Sequence, residues 1–275
     1  MKLETSPTQF VEATGVKFSY RELGAKSQAP LVCLQHFTGT MDAWDPAVIN
    51  ALAANRQVIV FNNRGVGRSS GTTPTTVAEM AADATAFIKA LGLAKVHLLG
   101  FSLGGMVAQL IAAESPSLVD KVILAGTAPQ GGEQHLMQVV QEALADKGAP
   151  DPRLPLFFTK SRASQAAGRA FLHRAAARTV DRDPDSGENI ANAQAQALIG
   201  WCSIKDPSAK ILGAMSQPTL IVCGSNDTML PDNNAYFMFK HMSNAQLCLY
   251  PDAGHGAIFQ YPERFVSHAN LFLSE

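Results

Sequence analysis

Residues 95–113 read KVHLLGFSLGGMVAQLIAA, and this stretch decides the fold. Residues 95–101 form a short run that after Lys95 is apolar except for His97, as a strand buried inside a sheet requires. Residues 103–113 are apolar, free of proline and long enough for a helix. A single residue, Ser102, separates the two, with Gly100 and Gly104 on either side. A turn this sharp holds the serine in a strained backbone conformation. Side chains two residues either side of it would collide, so glycine is needed there. The same geometry lifts the hydroxyl above the sheet edge. It also points the next helix's N-terminus at the place where negative charge would develop. A second G-x-S-x-G match, Gly67-Arg68-Ser69-Ser70-Gly71, is followed by Thr72-Thr73-Pro74 instead of an apolar helix. Ser102 is therefore the candidate nucleophile, and Ser69 reads as a loop residue.

The rhythm around this turn repeats outward. Strands are expected at residues 31–35, 57–62, 121–125, 218–223 and 246–250, and a hairpin at 10–23 around Thr14-Gly15. Helices are expected at 42–54, 75–91 (with Thr75 or Thr76 as N-cap) and 262–273. Short apolar strands alternating with helices predict an α/β protein with a mostly parallel, doubly wound sheet. The rhythm lapses between residues 130 and 213, where helices are expected at 133–147, 161–180 and 189–202, joined by proline-rich turns. The expected organisation is a core over 1–129 and 214–275, interrupted by a helical cap over 130–213.

The chain has 275 residues, 47% of them hydrophobic and 16% charged, with a formal net charge of -1. A charged fraction below the roughly 25% of an average soluble chain fits a compact globule. The near-neutral balance gives no pull toward nucleic acid or anionic membrane. The N-terminal ten residues have no apolar signal core, and no apolar run approaches the roughly 20 residues of a membrane span. A cytoplasmic protein is expected. The four cysteines, Cys33, Cys202, Cys223 and Cys248, have neither zinc-ligand nor redox spacing and read as buried thiols. No Walker A, G-x-G-x-x-G or H-E-x-x-H motif is present, so no cofactor and no metal are expected.

A serine hydroxyl is a weak nucleophile at neutral pH. It needs a histidine base, and that base needs an acceptor behind it to orient it. Asp227 follows the apolar run at 218–223, at the carboxyl end of a parallel strand where sites of open sheets gather. His255 lies in Pro251-Asp252-Ala253-Gly254-His255-Gly256, between the last strand and the last helix. The order Ser, Asp, His is that of the nucleophile-elbow hydrolases. Asp252 is the competing carboxylate, three residues before His255. His97 falls inside a strand, and His135, His173, His241 and His268 in helical stretches.

Over nearly its whole length the sequence resembles the α/β-hydrolase superfamily, most of all the small capped esterases, lactonases and cofactor-free haloperoxidases. Their H-G-F-P-G-S-x-x-x-W loop is matched here from Phe37 to Trp44, with Thr38 and Thr40 in the Pro and Ser positions and Gln35-His36 in place of His-Gly. The resemblance implies an oxyanion hole made by the backbone N–H groups of Phe37 and Leu103. It leaves His36 in a position where glycine usually permits an unusual backbone, so a reshaped loop or a side chain in the pocket is expected. Asn62 stands where the relatives' D-x-R-G-x-G-x-S segment has Asp. Gln194 to Trp201 resembles their Q-x-x-A-x-x-x-W stretch, whose tryptophan often faces substrate. Trp201, Phe157, Phe158 and His36 are thus the expected substrate contacts, with Leu156 and Phe171 adding apolar bulk. The expected function is cleavage of a small or medium, largely apolar carboxylic ester or lactone through an acyl-enzyme, with a small-molecule substrate and neither nucleic-acid nor membrane partner. Alternatives with the same three residues are C–C bond hydrolysis of a diketone and perhydrolysis as in the haloperoxidases. A non-catalytic ligand-binding protein of the same fold is the alternative from another class.

Overall fold

The computed structural model describes residues 1–132, 136, 138, 139, 142, 151–206 and 208–275. Eight strands form one sheet: β1 (Gln9–Ala13), β2 (Val16–Leu23), β3 (Leu31–Leu34), β4 (Val58–Phe61), β5 (Val96–Phe101), β6 (Val119–Ala125), β7 (Thr219–Gly224) and β8 (Ala245–Tyr250). Their spatial order is β1-β2-β4-β3-β5-β6-β7-β8. β1 and β2 form an antiparallel hairpin, and β2 runs antiparallel to β4. All other pairings are parallel. Thr14 and Gly15 both have positive φ at the hairpin tip, the backbone a tight two-residue turn demands.

Each core strand feeds both faces of the sheet. Val32 and Leu34 of β3 pack on one face with Phe87 and Met106, while Leu31 and Cys33 pack on the other with Trp44 and Phe265. Helices α2 (Val77–Ala90) and α3 (Leu103–Glu114) cover the first face. The second is covered by α1 (Pro46–Ala53) and, at the C-terminus, the last helix, Pro262–Ser274. Between β6 and β7 the described residues hold α4 (Arg153–Phe157), α5 (Arg162–Ala175), α6 (Glu188–Ser203) and α7 (Lys210–Ala214). Helices α8 (Asp232–His241), α9 (Ala257–Gln260) and α10 (Pro262–Ser274) complete the chain.

Local chemistry shifts several expected boundaries. The helix expected from residue 42 splits into a 3-10 turn, Met41–Ala43, and α1, because Asp45 caps α1 by accepting from the Ala47 N–H at 2.9 Å and Pro46 occupies its first turn. Thr76, not Thr75, caps α2, accepting from Glu79 N–H while its own hydroxyl donates to the Glu79 carboxylate. The helix expected over 161–180 ends at Ala175. The helix expected over 133–147, and with it His135, lies almost wholly outside the described residues.

The strand order places a switch point between β3 and β5. The chain leaves β3 to one side for β4, then crosses back over β3 to reach β5. The loops after β3 and β5 therefore diverge from adjacent strand ends, where Leu34 pairs with Gly100, and leave a crevice at the carboxyl edge.

Candidate active site

Ser102 is the single residue between β5 and α3, with φ 55° and ψ −120°. A non-glycine residue held there costs on the order of 1–3 kcal/mol. The turn is over-determined by its neighbours. Ser102 N–H donates to Ala125 O at 2.9 Å, and its carbonyl accepts from the Thr127 hydroxyl and the Gly105 N–H, both at 2.8 Å. A Cβ on Gly100 would overlap the Gly104 carbonyl, and one on Gly104 would overlap the Leu34 carbonyl. The helix thus crosses the strand ends at a distance only glycine allows.

Asp227 and His255 meet above the same edge. His255 Nδ1 donates to Asp227 Oδ2 at 2.8 Å. The other carboxylate oxygen accepts from the N–H groups of Met229 and Leu230 at 2.9 and 3.0 Å, so the acid is fixed from behind. Both side chains are buried. The His255 ring packs against Phe101 and Phe157, with centroids 5.1 and 5.6 Å away. With Nδ1 committed, Nε2 is the free lone pair, and it is buried with no hydrogen-bond partner. Ser102 and His255 line the same cavity. Asp252 is engaged elsewhere: it accepts from the hydroxyls of Thr159, at 2.7 Å, and Ser161, the N-cap of α5. Ser69 has a structural setting, donating to Asn62 O at 2.8 Å and accepting from Ser19 N–H at 3.0 Å, which ties β2 to the loop after β4.

The loop after β3 is reshaped, but not at His36. The left-handed residue is Thr38, with φ 60°. Gln35 folds back on its own loop, donating to Thr40 O at 3.0 Å and accepting from His36 N–H at 2.9 Å. His36 Nδ1 donates to Phe37 O at 2.8 Å, which assigns its tautomer. Its ring stands edge-on to Phe101 and Phe157, 5.4 Å from each. Burial, more than the Arg153 guanidinium nearby, pushes its pKa down from 6.5 to about 3, so His36 is neutral. The backbone N–H groups of Phe37 and Leu103 find no acceptor among the described residues.

The cavity over these groups has a volume of about 680 Å³. Leu156, Phe157 and Met229 form an apolar part of its wall, and His36 borders it. Two expected contacts are not on that wall. Phe158 packs against Phe171, and Trp201 is buried in the core with its indole N–H donating to Ala128 O at 3.2 Å. A buried indole must satisfy its N–H, and here a backbone carbonyl does so. The cavity is not lined by apolar residues alone. Arg182, Asp185, Glu188 and the Asp151–Arg153 ion pair, 2.6 Å apart, also line it. Spacing did not reveal them, because each lies in a loop or at a helix end. Ser186 and Gln194, which hold the loop after β3, were missed as well. The only sequence signal was that Gln194 opens the same eight-residue stretch as Trp201.

An eight-stranded sheet with this elbow at a switch point defines the α/β-hydrolase class, and the family model for the α/β-hydrolase fold matches residues 29–262. The chain belongs to this family and is a hydrolase. A solved α/β-hydrolase fold protein from Chitinophaga pinensis is 43% identical, with a TM-score of 0.93 and 99% of each chain covered. Proline iminopeptidase PfmaB of Pestalotiopsis fici is 30% identical over 90% of this chain and 92% of its own. A pimeloyl-[acyl-carrier protein] methyl ester esterase of Nitrosomonas europaea is 29% identical over 63% of this chain and 69% of its own. Among the described residues no helix is long and apolar enough to cross a membrane.

Proposed function

We propose that the protein is a serine carboxylesterase or lactonase acting through an acyl-enzyme on Ser102. The observation that carries this reading is the Asp227–His255 hydrogen bond, which leaves His255 Nε2 unpartnered in the wall of the cavity that Ser102 also lines. In the first half-reaction Ser102 Oγ bonds to the substrate carbonyl carbon while His255 Nε2 takes the hydroxyl proton. The carbonyl oxygen becomes an alkoxide held by the Phe37 and Leu103 N–H groups. The tetrahedral centre collapses, the C–O bond to the alcohol breaks, and His255 returns the proton to the departing oxygen. Water then attacks the acyl-enzyme by the same route. Asp227 keeps His255 in the required tautomer throughout.

The cavity favours a substrate with two characters. The acyl part lies against Leu156, Phe157 and Met229, and the alcohol or open lactone end reaches the charged residues of the lining. One relative is named for methyl ester cleavage, which fits this chemistry.

The test is hydrolysis of p-nitrophenyl acetate and butyrate by the wild type and by Ser102→Ala. The expected result is measurable turnover by the wild type and a loss of about 10³-fold or more in the variant. An inert wild type whose Ser102 also resists labelling by a fluorophosphonate would overturn the reading.

A further inference from the structure

We propose that Ser186 and Gln194, both on the helical insertion between β6 and β7, are positioning residues that set the oxyanion hole. The inference rests on the acyl-enzyme reading and assigns control of its oxyanion donor to residues outside the sheet core.

Thr38 is the residue of the loop after β3 that the insertion holds. A β-branched residue at φ 60° is strained, and its own loop spans it with one turn bond, from Gly39 N–H to His36 O at 3.0 Å. The insertion adds two bonds to Thr38 itself. Thr38 N–H donates to Gln194 Oε1 at 2.6 Å, and Thr38 O accepts from the Ser186 hydroxyl at 2.7 Å. These two bonds bracket the strained residue.

The first bond acts directly on Phe37. Thr38 N–H and Phe37 C=O belong to one peptide plane, and Phe37 O accepts from His36 Nδ1 at 2.8 Å. That plane is therefore held at both ends, by His36 on the oxygen and by Gln194 on the nitrogen. A flip of this peptide would break both bonds. The preceding plane, which carries the free Phe37 N–H, is held at its own oxygen: His36 O accepts from Gly39 N–H at 3.0 Å, and that N–H lies in the peptide plane whose oxygen, Thr38 O, Ser186 holds.

Gln194 is wholly buried, and its Nε2 has no partner. An unsatisfied buried donor is costly. The residue is accounted for by its Oε1, the atom that Thr38 uses.

The segment leading to Ser186 is anchored to the core, so the clamp has a fixed base. Asp183 N–H donates to Asp42 Oδ2 at 2.7 Å, and Asp42 pairs with Arg21 at 2.6 Å. Arg178 donates to Leu3 O and Ser6 O at 3.1 and 2.9 Å. Displacing the insertion from the core would release Thr38 and, with it, the orientation of the Phe37 N–H.

The experiment uses the full-length protein with p-nitrophenyl acetate as substrate. An aryl trifluoromethyl ketone serves as the probe of the hole, because its adduct with Ser102 places an alkoxide there. Gln194→Met removes the acceptor at similar length, and Gln194→Glu keeps it. Ser186→Ala, a change at a half-buried loop site, is the second variant, with thermal melting to verify folding. Gln194→Met is expected to lower kcat about 10- to 100-fold with KM within about twofold, and to weaken ketone binding by the same factor. Gln194→Glu is expected to recover most of both, and Ser186→Ala to show a smaller shift in the same direction. Folded variants with kcat and ketone affinity within about twofold of wild type would overturn the inference. So would a rise in KM at constant kcat. If Ser102→Ala abolishes turnover while these variants remain fully active, only the positioning role fails. If Ser102→Ala retains the wild-type rate, the acyl-enzyme reading fails and takes this inference with it.

Discussion

Two aspartates lie near His255, and their bonds give them opposite work. Asp227 accepts one bond from the imidazole and two from backbone N–H groups, so its position and the histidine tautomer are fixed together. Asp252 spends both oxygens on Thr159 and Ser161 and so ties the last core loop to the insertion. Asp227→Asn is expected to reduce kcat for p-nitrophenyl acetate by about 10⁴-fold, the scale seen when a triad carboxylate is replaced by an amide and the imidazole takes the wrong tautomer. Asp252→Asn is expected to keep kcat within about fivefold and to lower the melting temperature, since it weakens two charge-assisted hydrogen bonds. Steady-state kinetics on both variants, read beside their melts, checks the pair. Equal loss of activity in the two would refute the division of roles.

At the scale of elements, the strand–elbow–helix unit was legible because its signal is local. The apolar runs at 96–101 and 103–113, and the two glycines beside Ser102, sit within twenty residues of one another and need no distant partner. Gly104 shows how tight the unit is. Gly104→Ala would drive a methyl group into the Leu34 carbonyl oxygen at the end of β3, and backbone cannot yield as a side-chain tip can. The expected cost is about 3 kcal/mol, the upper part of the range for overpacking, measurable by urea unfolding. A loss below about 1 kcal/mol would mean that α3 can slide along the strand ends. The insertion was less legible for the converse reason. Thr38 and Gln194 are 156 positions apart, and no periodicity marks a hydrogen bond across that separation. Trp201 was misplaced because an aromatic at helical spacing looks the same whether it faces a cavity or a core. The reshaping expected of the loop at His36 falls two residues on, at Thr38, which has the positive φ, while His36 has none and bonds Phe37 O through Nδ1.

The whole molecule is closed by a buried charge cluster in which the N-terminal segment, β2, the 3-10 turn and the insertion all meet. Arg21 pairs with Asp42 at 2.6 Å and lies 3.9 Å from Asp183, and Arg178 lies 3.8 Å from Asp42. Asn62 completes the cluster. Its Oδ1 accepts from Met41 N–H at 2.8 Å, and its Nδ2 donates to Ser19 Oγ and to Asp183 Oδ2, each at 2.9 Å. This explains why an amide stands where the resembling families carry Asp: here the carboxylate comes from the insertion. Burial already raises the pKa of Asp183. Asn62→Asp would put a second carboxylate against it, and two carboxyl groups at that distance share a proton, so one pKa rises further. A group whose folded pKa is raised contributes its stability below the unfolded value, near 4, and loses it as pH climbs through the folded value. Asn62→Asp is therefore expected to melt near the wild-type temperature at pH 4 and to fall increasingly below it toward pH 8. Adding Asp183→Asn exchanges donor and acceptor across the same contact, so the double variant should recover most of the loss at pH 8. Thermal melts of the wild type, Asn62→Asp, Asp183→Asn and the double variant from pH 4 to 8 decide the matter. A pH-independent deficit in Asn62→Asp, or no recovery in the double variant, would mean that shape rather than charge fixes this junction.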